Sequence, residues 1–521
     1  MELLQENIHM DTVSKEGMVQ ISLEEDVNLP EMKPDVSSLC LEKGIVVIEE
    51  VRPGTDAVSI RGRLMFSVLY HTQEDGGRLA CMEGKVPFEE KIRIEGLSGT
   101  DNVTACGEVE DLAVSMINSR KLSVQSVVTL MASVEEIHDE ILPVGVDATN
   151  EDGDPQYRQV PMDFTYVCLC KRDVCRVKEE CILPSGYPNI GQILWKNVEF
   201  GEMNFRLGDE KMTVQGELRV FVLYESEGET TAPQIYETVI PISEEIACSG
   251  CREGETLDVR YGLSQCELEP RADMDGEQRV LGVEATVDLR ICVYEEKHMD
   301  VMTDIYGVTQ EISGEKKTVH LEKLLRSVTG KTKVTDHVRL GENDQVLQLI
   351  HSEAQAALTD VETVEDGVSL RGNLTLKILY VTGDDEKPYG CMKRVIPFEY
   401  LLEIPGMTKG ADSGRIQTEL EQLNVTMLDG EELDVKAVLC FSTTCMEPME
   451  AEVIGTIRQE PLDMEKMAAL PGMVIYVVKP GDNLWNIGKK YYVPVDRLLE
   501  LNDLSGQEVE AGQKLLIVKG A

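Results

Sequence analysis

A stretch of alternating hydrophobic and polar residues occurs three times along the chain. The copies read VSIRGRLMFSVLY at 58–70, MTVQGELRVFVLY at 212–224 and VSLRGNLTLKILY at 368–380. Because successive side chains of a β-strand point to opposite faces, this pattern places the alternate apolar residues of each copy on one face. Each copy is therefore predicted to be a strand with one buried and one polar face.

The spacing around these strands is also repeated, since the copies are offset by 154 and then 156 residues. In every copy a proline follows the mid-strand glycine by 25 residues: Gly62 and Pro87, Gly216 and Pro241, Gly372 and Pro397. Glycine weakens the interior of a strand, so the backbone is predicted either to bulge at these positions or to be approached closely by another segment.

Turn signals divide the repeated region into three units of ordinary domain size. Tight hairpin turns are predicted at Asn118-Ser119, Asp275-Gly276 and Asp429-Gly430, between alternating runs. An exposed polar loop near 150–155 is interpreted as one boundary, and a second boundary is predicted near Ser313–Lys317. The sequence therefore predicts β-rich domains at 1–150, 151–313 and 314–460, followed by a linker that reaches residue 472.

The repeated unit resembles the SPOCS domain over most of residues 1–465, on the strand pattern, the glycine and the prolines given above. This family occurs in spore coat assembly proteins of sporulating Firmicutes, especially clostridia. The resemblance implies a biological context, endospore formation, and it implies no reaction.

Residues 473–521 have a different pattern, which predicts a strand, two helices and a second strand. A short strand over 474–478 is followed by a turn at Pro480-Gly481, and Asp482 is predicted to cap a helix that begins at Asn483. Pro494 suits the first turn of a second helix, which Asn502 ends. The fold class is thus mainly β and multidomain, with three repeated domains and a small C-terminal α+β (βααβ) module.

This C-terminal segment resembles a complete LysM module, a family that usually binds the N-acetylglucosamine units of peptidoglycan or chitin. The groove of such modules lies between the first strand–helix loop and the second helix–strand loop. The candidate residues for binding a partner or a glycan are Lys479, Gly481, Asp482, Asn483, Leu484, Trp485, Asn502, Gly512 and Gln513. The segment departs from the common family pattern at Asn483, Tyr492 and Asp503.

Trp485 has two interpretations at this stage. It lies on the apolar face of a short helix, where a tryptophan packs in the interior more often than it anchors an interface. Lys479 and Asp482, which lie on the loop, are the stronger candidates for direct contact with a partner.

The charge of the chain excludes some classes of partner. The formal net charge is −45, from 95 acidic and 50 basic residues, and this field repels nucleic acid and anionic lipid surfaces. Residues 473–521 contribute six basic and six acidic residues, so the whole surplus lies in residues 1–472. The first residues lack a secretory signal and no apolar run reaches membrane-spanning length, so we expect a cytosolic protein without membrane insertion.

Neither the cysteines nor the remaining motifs indicate an enzyme. Two groups of cysteines, Cys168, Cys170, Cys175 and Cys181 and then Cys248 and Cys251, lack the regular pairs of a zinc site and are interpreted as structural thiols. No phosphate-binding loop, zinc-protease motif or nucleophile elbow is present. We expect no catalytic residues, no metal and no cofactor.

The combination of three SPOCS-like units with one LysM-like module resembles clostridial spore morphogenetic proteins. The resemblance implies a scaffold in the mother-cell cytoplasm, at the forespore surface, whose LysM module binds the coat ATPase called stage IV sporulation protein A. Other coat proteins are further candidate partners. Two alternatives remain open: a peptidoglycan-binding protein of the spore cortex or cell wall, and a hydrolase whose site is assembled from distant residues.

Overall fold

The computed structural model describes residues 1–519 apart from 74–77, 149–153, 229–231, 340–345, 385–386, 410–412, 430–431, 464 and 466–469. Long antiparallel strands dominate the chain, and the described helices lie in the C-terminal module. This arrangement confirms the predicted fold class, three β-rich repeats with a small α+β module. The predicted boundary after residue 150 and Gly430 of the third predicted turn lie outside the described residues.

Repeat 1 is a sandwich of two three-stranded antiparallel sheets, with strand orders β2-β3-β4 and β1-β6-β5. Its strands are β1 (Glu2–Asn28), β2 (Val36–Pro53), β3 (Ala57–Thr72), β4 (Leu79–Arg93), β5 (Val103–Asn118) and β6 (Lys121–Asp147). The alternating face predicted for β3 is buried between the sheets, as expected for a sandwich core: Val58, Ile60, Leu64, Phe66, Val68 and Tyr70.

Repeat 2 has the same plan with one interruption, because a break near Glu202 divides the equivalent of β2 into two strands. Strands β8, β9, β10 and β11 form one sheet, and β12, β13 and β7 form the other. The bounds are β7 (Pro155–Ile182), β8 (Ile190–Phe200), β9 (Asn204–Gly208), β10 (Lys211–Ser226), β11 (Gln234–Ala247), β12 (Thr256–Arg271) and β13 (Val280–Gly307).

Repeat 3 restores the continuous form, with sheets β15-β16-β17 and β14-β19-β18. Residues 313–317, near which a boundary was predicted, pair with β19 inside β14, and β14 begins at Glu311. The bounds are β14 (Glu311–Arg339), β15 (Val346–Val364), β16 (Gly367–Thr382), β17 (Tyr389–Glu403), β18 (Gln417–Asp429) and β19 (Glu432–Glu460).

The repeated glycines lie where another group approaches the strand closely. A Cβ atom on Gly62 would lie 2.5 Å from the Val47 carbonyl oxygen and 2.7 Å from Cζ of Phe88. The pairing of β2 with β3 also shifts register between Ile48 and Glu50, opposite Gly62 and Arg61, so close approach and a bulge in the partner strand occur together here. The repeated prolines Pro87 and Pro397 lie on β4 and β17, which are edge strands, where a missing N–H group interrupts no ladder.

The three repeats pack against one another at equivalent positions. Leu69, Leu223 and Leu379, which are related by the offsets of 154 and 156 residues, are each at most 1% exposed and belong to one apolar cluster. We call this group the junction cluster, and its other buried members are Cys40, Leu41, Leu79, Cys81, Leu194, Trp195 and Phe221. Since all three repeats contribute the same position, they surround a common centre.

Beside the junction cluster a second set of equivalent positions is polar. Lys43, Asn197 and Glu353 occupy the same place in repeats 1, 2 and 3, with the same offsets of 154 and 156 residues. The ammonium group of Lys43 donates a hydrogen bond to Oδ1 of Asn197 and lies 4.0 Å from Oε2 of Glu353. Asn197 and Glu353 are buried at 4% and 8% exposure and Lys43 is partly buried, so this polar triad lies between the repeats.

A second contact among the repeats is made by their longest strands, which pair as β1 with β6, β7 with β13 and β14 with β19. We call the packed ends of these pairs the strand-pair bundle. Leu142, Met299 and Val453 meet in its core, next to a smaller group that contains Ile305 and Ile312. A single bridge between Thr165 and Glu322 also joins the outer sheets of repeats 2 and 3.

The close approach at Gly62 makes a testable prediction about stability. Gly62→Ala forces the Val47 carbonyl or the Phe88 ring to move, so we expect a loss of about 1–3 kcal/mol in the free energy of unfolding. Gly262→Ala is the matched control, because Gly262 also lies in a strand but has no atom within 4 Å of its Cβ position. Urea unfolding of the full chain measures both changes, and equal effects would contradict the assignment.

Candidate functional site: the C-terminal module

The C-terminal module has the predicted order of strand, helix, helix and strand. Its elements are β20 (Met473–Val477), α1 (Leu484–Tyr491), α2 (Val495–Leu501) and β21 (Lys514–Val518). The strands pair in antiparallel register, from Met473 with Val518 to Val477 with Lys514. The helices cover one face of this hairpin, and the core between them is formed by Leu484, Ile487, Val493, Leu498, Leu515 and Ile517.

The helix cap is one residue later than the sequence indicated. Oδ1 of Asn483 accepts a hydrogen bond from the backbone N–H of Asn486 at 2.8 Å, so Asn483 is the N-cap of α1. The prediction that Asp482 caps this helix is wrong. Its carboxylate instead accepts bonds from the Tyr476 hydroxyl at 2.6 Å and from the Lys479 N–H at 2.9 Å.

The bond between Asp482 and Tyr476 changes the acidity of both groups. The hydrogen bond from Tyr476 holds the pKa of the Asp482 carboxyl below its ordinary value, and the N–H of Lys479 adds to this effect. The same bond raises the pKa of Tyr476 to about 12. Asp482 is therefore an anion that closes the loop after β20, and its role at the groove is to fix the shape of that loop.

The two loops expected to form a groove lie side by side. Gly481 and Gly512 adopt positive φ angles of 89° and 90°, which suit glycine, and no atom lies within 4 Å of either Cβ position. Backbone hydrogen bonds join Val478 to Gln513 and Gly512 to Val478, at 2.9 and 2.8 Å. The structure thus brings Lys479, Gly481, Asp482, Gly512 and Gln513 together at one edge of the module.

The other candidate residues serve the fold. Leu484 is fully buried in the core of the module. The side-chain amide of Asn502 donates to the carbonyls of Leu498 and Leu516, and its oxygen accepts from the N–H of Leu516 at 2.6 Å. Asn502 therefore ties the end of α2 to β21, and it does not line the groove as a free polar group.

Trp485 is buried against repeat 2, which the sequence did not predict. Its indole N–H donates to Oδ2 of Asp304 at 2.7 Å, and its ring meets the Tyr306 ring edge to face at 4.9 Å. Only 8% of Trp485 is exposed. The packing interpretation of this residue agrees with the structure, but its packing partner belongs to the strand-pair bundle.

Three further hydrogen bonds extend this contact, which we call the docking interface. Lys489 pairs with Oδ1 of Asp304 at 2.6 Å, and the Tyr306 hydroxyl donates to the Val493 carbonyl at 2.8 Å. The Tyr492 hydroxyl donates to Glu311 at 2.6 Å. The module is therefore held on the end of β13 and the start of β14.

Asp304 is the electrostatic centre of the docking interface. Partial burial opposes ionisation of its carboxyl, but hydrogen bonds from Lys489 and Trp485 stabilise the anion and hold its pKa below the ordinary value. One carboxylate thus binds two side chains of α1 at the same time.

Sequence reasoning missed Asp304, Tyr306 and Glu311, because they lie about 180 residues before their partners. One signal pointed toward the interface: Tyr492 replaces a residue that is often glycine in LysM modules. In the structure Tyr492 adopts the left-handed conformation, with φ of 57°, and bonds to Glu311.

The outer face of β20 carries an apolar stripe. Met473, Ile475 and Val477 alternate along the strand and are 64%, 67% and 50% exposed. Leu516, the register partner of Ile475, extends the same face onto β21. The opposite face of the hairpin, which includes Val474 and Tyr476, packs toward the helices.

The cysteine groups give no active centre. Cys170 is joined by a disulfide to Cys292, its register partner on β13, so the expectation of free thiols was wrong for this residue. Cys248 and Cys251 are buried, and burial raises the pKa of both thiols, which is the opposite of the shift that activates a nucleophile.

One set of potential metal ligands occurs among the described residues, at Cys168, Glu255 and Glu295. The Glu295 carboxylate already accepts a hydrogen bond from Tyr166, and the Cys168 thiol lies 3.7 Å from it. Burial, together with nearby Glu255, raises the pKa of Cys168 to about 12. The hydrogen bond from Tyr166 and the contact between Cys168 and Glu295 thus explain why these side chains lie close together.

Comparison with known families agrees with this architecture. The model described as "SipL, SPOCS domain" matches residues 35–117, 189–270 and 345–428, and the LysM domain model matches 476–518. The fold and the module define a tandem β-sandwich protein with a C-terminal LysM domain. Its architecture is SipL-like, with three SPOCS domains before the LysM domain, which confirms the resemblance found in the sequence.

The SPOCS and LysM domains support a sporulation protein of the coat-associated type, with a module of the peptidoglycan-binding type. Each SPOCS match covers the middle strands of a repeat, from β2 to β5 in repeat 1, so the long paired strands lie outside it. Asp304, Tyr306 and Glu311 of the docking interface also lie outside the matched segments.

One curated relative is "Uncharacterized protein YkzQ" of Bacillus subtilis (strain 168), which is 42% identical over 43 residues. The match covers 8% of this chain and 57% of that protein, so the chain spans little more than half the length of this relative. No solved structure matches the chain. Within the described residues, no helix has the length and apolar character needed to cross a bilayer.

The docking interface predicts the effect of removing Asp304. Asp304→Ala leaves the indole N–H of Trp485 and the ammonium of Lys489 without their shared acceptor, so we expect docking to weaken by roughly 1.5–3 kcal/mol. Release of the module exposes Trp485 and shifts tryptophan fluorescence to longer wavelength. Asp300→Ala, four residues earlier at an exposed position of β13, is the control and should leave the emission unchanged.

The lowered pKa of Asp304 also predicts a dependence of docking on pH. A carboxyl whose folded pKa lies below its unfolded value of about 3.9 contributes stability above that pH and loses it as the pH falls through the folded pKa. We therefore expect Trp485 emission to shift only below about pH 4. Asp304→Asn should remove this step, as measured by fluorescence, with circular dichroism as the monitor of global acid unfolding.

Proposed function

We propose that this protein is a non-enzymatic scaffold of spore coat assembly that acts in the mother-cell cytoplasm, at the forespore surface. In this proposal the LysM module binds the coat ATPase, stage IV sporulation protein A, and so helps the coat encase the forespore. Other coat proteins are further partners. The SipL-like order of domains supports this assignment.

The exposed apolar stripe of β20 is the observation that carries the choice of a protein partner. Met473, Ile475 and Val477 form a surface without hydrogen-bonding side chains, which suits the apolar centre of a protein interface. A sugar site needs several polar groups placed to bind hydroxyls, and on this face of the strand pair the polar side chain is Lys514, the register partner of Val477. Because docking buries Trp485, the stripe points away from the strand-pair bundle and is available to a partner.

The charge of the module agrees with this role. The module is neutral while residues 1–472 carry the surplus of −45. An acidic partner surface would be repelled by the three repeats but not by the module itself. The module is therefore the part of the chain that can approach partners of either charge.

A second candidate function, peptidoglycan binding, is favoured by the open loops at Gly481 and Gly512. Lys479 is exposed beside them, and Gln513 lies on the second loop. This edge is distinct from the apolar stripe, so substitutions can separate the two functions.

The stripe predicts which substitutions abolish binding of the coat ATPase. Ile475→Glu places a charge at the centre of the stripe, and we expect affinity for purified stage IV sporulation protein A to fall at least about tenfold. The matched control is Val239→Glu, an exposed valine on β11 of repeat 2, which should bind normally. Affinity is measured by pull-down and titration, after circular dichroism has shown that both variants are folded.

Sedimentation with purified peptidoglycan tests the second function with the same proteins. Binding to peptidoglycan that is lost in Lys479→Glu and kept in Ile475→Glu, without any binding of the coat ATPase, would overturn the scaffold proposal. If Ile475→Glu binds the ATPase as tightly as the wild type does, the stripe is not part of the contact. The proposal of a scaffold would then stand with a different binding surface.

A further inference from the structure

Repeats 1 and 3 are in direct contact although they are not neighbours in the sequence, and we call this contact the seam. Repeat 2 separates them in sequence, yet Lys377 of β16 donates to the Glu42 carbonyl of β2 and lies 3.5 Å from the Glu42 carboxylate. Lys43 and Glu353 approach each other across the same seam. Noncovalent contacts of this kind hold the first repeat to the third.

Two cysteines face each other across this seam. The sulfur of Cys391 on β17 contacts the carbonyl oxygen of Cys40 on β2, although the two residues are 351 positions apart. Cys40 is a buried member of the junction cluster, and Cys391 packs against that cluster from a partly exposed position. Both are free thiols in the structure.

The pKa values of the two thiols are shifted in opposite directions, so that one sulfur is more readily a thiolate than the other. A hydrogen bond between them raises the pKa of Cys40 well above its ordinary value, while the same bond lowers the pKa of Cys391. Burial and the Glu42 carboxylate oppose the thiolate of Cys391, while Lys377 favours it, and the net effect is a lowered pKa. The more accessible sulfur is thus the better nucleophile, and the buried sulfur lies beside it.

A third cysteine of the cluster provides an internal comparison. Cys81 occupies in repeat 1 the position that Cys391 occupies in repeat 3, through the offsets of 154 and 156 residues. It is buried, and burial raises its pKa to about 12. Equivalent positions therefore differ in reactivity, because Cys391 alone of the two has the Cys40 thiol as its hydrogen-bond partner.

We propose that Cys40 and Cys391 are an oxidation site, at which a disulfide bonds repeat 1 to repeat 3. The oxidant is a peroxide. The Cys391 thiolate attacks one peroxide oxygen and breaks the O–O bond, which gives the sulfenic acid of Cys391 and releases water after protonation. The Cys40 thiol then attacks the sulfenic sulfur, the S–S bond forms, and a second water leaves with the Cys40 proton.

The new bond closes the three repeats into a covalent ring. It links residues that are distant in sequence, and cross-links over long loops restrict the unfolded chain most strongly. Oxidation therefore turns a seam held by contacts into one that cannot open without reduction. This property goes beyond the proposed scaffold role and does not depend on the identity of the LysM partner.

The test uses the full-length reduced protein and hydrogen peroxide. After oxidation, alkylation of the remaining thiols and proteolysis without reductant, mass spectrometry should find a peptide that joins Cys40 to Cys391. The oxidised protein should also unfold at a temperature several degrees higher than oxidised Cys391→Ser or Cys40→Ser, all of which contain the Cys170–Cys292 disulfide. The linked peptide should be absent from both variants, while Cys81→Ser should keep the peptide and the higher unfolding temperature.

The cysteine pairs that form in the oxidised wild-type protein test the proposal even if one of the variants folds poorly. Oxidation that leaves Cys40 and Cys391 as free thiols, or that pairs either one with Cys81, would overturn the proposal. A linked peptide that joins two molecules of the chain would also overturn it, because the seam described here lies within one molecule.

Discussion

The whole arrangement depends on burying the outer faces of three strands against one another. In an isolated sandwich, the residues of the central strand that point away from the core face water. Here Leu69, Leu223 and Leu379 point to that side and are buried by the other two repeats. The hydrophobic effect thus acts twice on each central strand, once within its repeat and once between repeats. The same three-way contact aligns the long strands that form the strand-pair bundle.

The bundle in turn determines how the C-terminal module is presented. The end of β13 carries Asp304 and Tyr306, and these residues bind the face of α1 that contains Trp485. A LysM module tethered by a flexible linker would offer all of its surfaces in turn. In this protein one face is committed to the bundle, so the opposite apolar stripe and the groove edge are the surfaces that remain for recognition.

The sequence predicted those features that arise from local patterns. Period-two alternation identified β3, β10 and β16, and turn and cap signals located the elements of the LysM module within a residue or two. The prediction of Asp482 as the helix cap failed, because Asn483 is an equally good capping residue and the Asp482 carboxylate is bound by the Tyr476 hydroxyl instead. The glycine and charged residues of 313–317, near which a boundary was predicted, lie within a strand that pairs with β19.

Contacts between residues that are far apart along the chain could not be predicted from the sequence. Nothing near Trp485 identifies Asp304 as its acceptor, and the cysteine spacings do not indicate that Cys170 faces Cys292. Strand register and the packing of repeats create these pairs, and both depend on the full three-dimensional arrangement. The departure at Tyr492 shows that a mismatch to a family pattern can mark such a contact before its partner is known.

The polar triad of Lys43, Asn197 and Glu353 has a consequence for how the three repeats tell their places apart. Any near-symmetric arrangement brings copies of the same position face to face, so identical side chains there would give three ammonium groups or three carboxylates in contact. Divergence to one cation, one neutral amide and one anion removes that repulsion. It also distinguishes the places of repeats 1 and 3, because a second copy of repeat 1 in the place of repeat 3 would bring two ammonium groups together, and the reverse exchange would bring two carboxylates together.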